Sequence, residues 1–176
     1  SPGRWRPASW IGLLWLIFCG GAALATQPTP GTTLDIDEAI AFSRARIGSM
    51  PDDVVLRDRD GRDVPLARFR GKPLLVNFVF TGCFQVCPTS TRDLQGAVRA
   101  MRDRFGPDQF NVISIGFNQP TDSPLAMKMF AAQLRIKEPN WEFLSPRAED
   151  VPRLTGAFGF RFRPSPSGFD HTVQVS

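Results

Sequence analysis

The stretch Thr81-Gly82-Cys83-Phe84-Gln85-Val86-Cys87-Pro88 constrains this chain more than any other. Ahead of it, Leu74-Leu75-Val76-Asn77-Phe78-Val79-Phe80 is a nearly continuous apolar run of strand length, the pattern of a strand buried on both faces. Behind it, Leu94, Ala97, Val98, Met101 and Phe105 recur at helical spacing, and Pro88 suits a first turn, where its missing N–H costs nothing. The two cysteines therefore fall at a strand-to-helix junction. A helix N-terminus carries partial positive charge and unpaired N–H groups, which favours thiolates. Metal binding or disulfide exchange is expected of this pair, rather than inert packing.

The ends of the chain set its context. Arg4 and Arg6 precede the apolar run Trp10–Phe18, and Ala23-Leu24-Ala25 offers a small-x-small cleavage signal, so residues 1–25 read as a secretory signal peptide or, uncleaved, a membrane anchor. The bulky Phe18 before Cys19 argues against a lipoprotein site. Either reading exports the rest to an oxidising compartment, where Cys83 and Cys87 are the one remaining pair. With 176 residues, 42% of them hydrophobic, the chain can bury one good core. Its formal charge of +4 falls to +2 once Arg4 and Arg6 leave with the leader, which gives no sign of nucleic-acid binding. Arg99, Arg102 and Arg104 read as a solvated helix face.

Residues 26–50 read as a Pro/Thr-rich linker and a short helix from Ile36 to Ile47, with Ile36, Ala39, Ile40 and Ile47 on its apolar face. The globular domain spans 51–176. Val54-Val55-Leu56 and Val64-Pro65-Leu66 flank Asp60-Gly61, the signal of a β-hairpin. Phe110–Ile115 is a second buried strand, and strand, helix, strand at this spacing is a parallel βαβ unit. Ser123-Pro124 caps a helix through Ile136, with Leu125, Met129, Ala132 and Ile136 inward. Trp141–Leu144 is a short strand, a further helix lies between Ser145 and Phe158, and Phe160–Phe162 is extended. A loop at Pro164–Gly168 then leads into the alternating strand Phe169–Val175. The chain begins at Ser1 and not at Met, and it stops in mid-strand at Ser176, which reads as a fragment at both ends.

His171 is the sole histidine, 84 positions beyond Cys87 and just after Asp170. A lone histidine is more often a packed residue than a ligand. Two thiolates and one imidazole nevertheless make a soft three-coordinate set that points to Cu(I), whereas zinc wants a fourth ligand that only Asp170 or water can supply. Residues at i and i+4 on a helix have Cβ atoms roughly 5–6 Å apart, and two thiolates on one metal at about 2.3 Å each stand within reach of that spacing. The same pair can form a disulfide, and closing so short a loop is worth only roughly 2 kcal/mol.

Gly71-Lys72-Pro73-Leu74-Leu75-Val76-Asn77-Phe78, Thr81-x-Cys83-x-x-x-Cys87-Pro88 and Asp170-His171-Thr172 together resemble the Sco/SenC family, from about Val54 to the end of the chain. The resemblance implies an α/β, thioredoxin-like fold, here with an N-terminal β-hairpin, in a copper chaperone usually tethered to a membrane. It implies Cys83, Cys87 and His171 as copper ligands and delivery to the CuA site of cytochrome c oxidase, with thiol-disulfide reduction as a further activity of some members. Two departures stand out. Phe84 and Gln85 replace the proline and acidic residue usual between the cysteines, and Ser114-Ile115-Gly116 replaces the usual Ser-Val-Asp. Two carboxylates near the metal are thereby missing, which predicts a preference for Cu(I), or reliance on the dithiol.

Met127-Lys128-Met129 has the M-x-M spacing of copper-carrying surfaces, but residues two apart on a helix do not face each other, and core packing is expected of Met129. The expected function is that of an exported, periplasmic copper chaperone for the CuA-bearing oxidase subunit or another exported copper protein, served by a thiol reductase. The alternatives are a thiol-disulfide oxidoreductase using Cys83 and Cys87, and a redox-toggling domain that holds no metal.

Overall fold

The computed structural model describes residues 34–84, 86–166 and 168–172, all within the compact unit Gly31–Ser176. The leader or anchor expected at residues 1–25, Cys19 and most of the linker lie outside the described residues. Among those described, no helix is long and apolar enough to cross a membrane.

Helix α1 (Ile36–Arg44) starts at Asp35, whose carboxylate accepts the Glu38 N–H at 3.0 Å. It is shorter than its apolar spacing predicts and buries only Ala39; Ile36, Ile40 and Ile47 stay exposed. Strands β1 (Val55–Arg57) and β2 (Asp63–Pro65) form the expected antiparallel hairpin, turning at Gly61 with φ +80°. A 3-10 turn, Leu66–Phe69, tucks Leu66 and Phe69 into the core.

The central sheet has the order β3 (Leu74–Val79), β4 (Asn111–Gly116), β5 (Trp141–Leu144), all parallel. Val76, Val79, Val112, Ile113, Ile115, Phe143 and Leu144 are buried, as near-continuous apolar strands must be. One chain of polar groups crosses all three strands: the Trp141 indole N–H donates to Ser114 Oγ (3.0 Å), which donates to Asn77 Oδ1 (2.7 Å). The indole N–H, the Ser114 hydroxyl and the Asn77 carbonyl oxygen thereby find partners, which ties the three strands together. The β1–β2 hairpin joins this sheet through paired backbone hydrogen bonds between Arg57 and Ser145.

Helix α2 (Val86–Phe105) links β3 to β4, and α3 (Pro124–Gln133) links β4 to β5. The inward face of α2 is Thr91, Leu94, Gln95 and Val98; Ala97 and Phe105 point out. Helix α3 is also rotated from expectation. It buries Met127, Phe130 and Ala131, while Leu125 and Met129 (63% exposed) face solvent, so Met129 is not a core residue. Its Ser123 cap is as expected, accepting the Ala126 N–H at 3.3 Å.

A 3-10 turn at Ala148–Asp150 leads into α4 (Val151–Ala157). Strand β6 (Phe162–Ser165) then pairs antiparallel with β7 (Gly168–His171). Much of the loop expected at 164–168 is thus strand. Gly168 has φ +123°, and a Cβ there would lie 3.1 Å from the Phe80 ring, so only glycine fits without displacing that ring.

Candidate metal centre

Cys83 sits in the turn after β3, where its N–H donates to the Phe80 carbonyl (3.1 Å). Its Sγ accepts the Cys87 N–H at 3.2 Å, so the first sulfur satisfies one of the N–H groups that the start of α2 leaves open. Both cysteines are free thiols. They differ in access: Cys83 is half-buried and Cys87 only 2% exposed.

Burial pushes the Cys87 thiol up to about 12. The Phe80 backbone pulls the other way, whereas Cys83 and the charge of Asp122 add to the rise. The thiolate preference expected from the helix terminus therefore fails at Cys87, because desolvation of a buried anion outweighs the partial charge of the helix end.

His171 enters from β7. Its ring packs among Phe80, Phe117 and Phe160, with centroids 6.1, 6.1 and 5.9 Å away. These rings, with Phe162 and Phe169, form one aromatic cluster on which the β6–β7 hairpin rests. His171 Nδ1 lies 3.1 Å from the Thr172 carbonyl, which can only accept, so in the neutral imidazole this contact selects the tautomer with the proton on Nδ1 and Nε2 as the donor atom. Cys83 and His171 line one cavity of about 360 Å³, together with Phe80, Gly82, Phe84, Val86 and Phe169. Phe84, 92% exposed, stands at its rim.

The three residues singled out by sequence are thus brought near one another, but only in pairs: Cys83 with Cys87, and Cys83 with His171 across the cavity. Among the described residues, no three His, Cys, Asp or Glu side chains are gathered closely enough to hold a metal ion. Two thiols and an imidazole with a free Nε2 suit a soft monovalent ion in chemistry. Asp170, the sequence's candidate fourth donor, precedes His171 on β7 and pairs with Arg163 across the hairpin. Met127, the buried member of the M-x-M pair, packs behind Gly116.

Sequence reasoning missed Asp122. It is wholly buried; Oδ1 accepts the Thr81 N–H (2.7 Å) and O–H (2.8 Å), and Oδ2 accepts the Asn118 N–H (2.8 Å). Burial raises its pKa, while these donors oppose the rise. A Cβ on Gly116 would come within 2.6 Å of Asp122 Cβ and 3.3 Å of its Cγ. The end of β4, where the sequence offers no carboxylate, thus receives one from six residues further on. The one signal for it was an aspartate directly ahead of the Ser123-Pro124 cap.

Comparison with known proteins places this arrangement. The structure resembles a putative electron transfer protein of Aquifex aeolicus, with a TM-score of 0.65 at 28% identity, covering 72% of this chain and 74% of that one. It also resembles ScoI of Bradyrhizobium japonicum with copper bound, with a TM-score of 0.62 at 26% identity, covering 72% and 81%. The fold is thioredoxin-like, as in Sco proteins. A SCO1 protein homolog of Bacillus subtilis is 32% identical over 92 residues, covering 51% of this chain and 45% of the relative. The chain spans about half the length of the curated relatives it matches. Residues 50–176, well over half the chain and the whole of the site, match the SCO1/SenC family model, and the chain belongs to the SCO1/SenC family.

Proposed function

We propose that this protein is an exported copper chaperone that binds Cu(I) through Cys83, Cys87 and His171 and delivers it to the CuA site of cytochrome c oxidase. The observation that carries this reading is the cavity shared by Cys83 and His171, into which two soft sulfurs and a free imidazole nitrogen can converge. A copper-bound relative of the same fold supports copper as the cargo. Binding the ion would require Cys87 to release its proton to solvent, since thiolates and not thiols are metal ligands. The exposed Phe84 offers a client an apolar contact beside the metal. The leader at residues 1–25 supports a periplasmic location, either soluble after cleavage or anchored to the inner membrane, where a thiol reductase keeps the pair reduced.

A second reading rests on the unequal access of the two cysteines. A half-exposed Cys83 above a buried, protonated Cys87 is the layout of an attacking and a resolving thiol, as a thiol-disulfide oxidoreductase requires. Cu(I) titration of the reduced protein, with His171→Ala and Cys83→Ser alongside, separates the two. One tightly bound copper, weakened by both substitutions, supports the chaperone. Copper binding that ignores His171→Ala overturns it, and turnover of a disulfide substrate without His171 then carries the second reading.

A further inference from the structure

Asp122 belongs to no ligand set, yet it is fully enclosed and tied to the cysteine loop. The other buried carboxylate among the described residues, Glu138, has Arg99 as an ion-pair partner. The Asp122 oxygens are held instead by two backbone N–H groups and a hydroxyl. Backbone N–H groups only donate, so this cradle serves the carboxylate form. Its main chain is equally committed: the Asp122 N–H donates to the Asn118 carbonyl (2.8 Å), and its carbonyl accepts Ser145 Oγ–H (2.7 Å) and Gln119 Nε2–H (2.9 Å). One residue thus binds the turn carrying Thr81 to the loop after β4 and to the end of β5. Gly116 admits it, because any side chain there would collide with its Cβ.

We propose that Asp122 is the positioning residue of the dithiol site: by clamping Thr81, two residues before Cys83, to the β4–α3 loop, it fixes where the first sulfur stands relative to Cys87 and His171. This inference rests on the copper reading above for its affinity readout, and on the fold alone for its second readout. Removing a clamp rather than a ligand leaves the donors in place but lets the loop wander, and losses behind a metal ligand run to roughly 10–100-fold in affinity.

The test takes the reduced chain and compares Asp122→Asn and Thr81→Val with Glu138→Gln, which loosens the other buried carboxylate. The expected result is a Cu(I) dissociation constant raised about tenfold or more in Asp122→Asn and by less in Thr81→Val, which keeps the backbone bond, with Glu138→Gln binding as wild type. Amide exchange at Thr81 in the metal-free protein accelerates in Asp122→Asn and not in Glu138→Gln. Wild-type Cu(I) affinity in a folded Asp122→Asn, or unchanged Thr81 exchange, overturns the clamp. If Asp122→Asn does not fold, Thr81→Val decides, and unchanged affinity there overturns it as well. A wild-type chain that binds no Cu(I) sinks the copper reading but not the clamp, which Thr81 exchange then tests alone.

Discussion

A charge at the first turn of a helix gains about 0.3–1 kcal/mol from the terminal partial charge, whereas burying an unpaired charge costs several times that. At Cys87 the second effect prevails and the thiol stays neutral. An acid whose pKa is higher in the folded than in the unfolded chain stabilises the fold below the unfolded value and loses that stabilisation as pH rises through the folded one. The metal-free protein should therefore lose stability between the ordinary thiol value of 9.0 and about 12, and Cys87→Ser should flatten that limb of a denaturation-versus-pH curve. An equally steep limb in the variant would show that another group is responsible. The missing information at this scale was burial: the sequence shows a cysteine at a helix start but not how many side chains close over it. Asp122 was illegible for the same reason, since Thr81, its partner from the cysteine turn, approaches it only after β3 and β4 pair.

Among the elements, strands were read from sequence more faithfully than helix faces. A continuous apolar run such as Leu74–Val79 needs no choice of face, and Asp60-Gly61 leaves little choice of turn. An apolar helix such as α3 offers several stripes, and the neighbouring β5 selected the one with Met127 and Phe130. Helix α2 also buries two polar residues that a hydrophobic pattern overlooks, Thr91 and Gln95. Gln95 Nε2 donates to both Glu138 oxygens at 3.1 Å, and Arg99 Nε donates at 2.7 Å, so one carboxylate ahead of β5 grips the middle of the helix that carries Cys87. Burial alone would raise the Glu138 pKa, but Arg99, Gln95 and the backbone donors hold it below the usual carboxylate value. A depressed carboxylate stabilises the fold above its unfolded pKa and loses that contribution as pH falls below it. Glu138→Ala should cost about 1–3 kcal/mol in urea denaturation at neutral pH, by leaving the Gln95 amide buried and unpaired. That loss should shrink below the ordinary carboxylate value of 4.5. A variant as stable as wild type at neutral pH would show that the helix is held elsewhere.

Across the whole molecule, the family and the α/β fold were legible because the cysteine motif, the lone histidine and the parallel unit are local patterns in the chain. Their meeting was implied by the family resemblance and not by their spacing. The cysteines ride on the junction of β3 and α2, whereas His171 rides on a hairpin held to that junction by edge-to-face contacts of Phe169 and His171 with Phe80 and by the close approach of Gly168 to Phe80. Nothing in the spacing of residues 83, 87 and 171 announces this contact, which packing alone creates.

That arrangement gives the cavity a topological meaning. A cation bridging Cys87 and His171 would close a ring of 85 residues containing most of α2, the β4–β5 pair, α3 and α4. Closing a long ring removes conformations from the open chain and little from the folded one, so the ion would act as a removable cross-link. Cu(I) should raise the melting temperature of the reduced protein, and His171→Ala should lose most of that gain while Cys83 and Cys87 remain. An equal gain in the variant would mean that the ion spans only the two cysteines. On the copper proposal, cargo and architecture would be reciprocal: the ion would be held only while the β6–β7 hairpin stays docked, and parting that hairpin from the aromatic cluster would be the molecule's own means of letting it go.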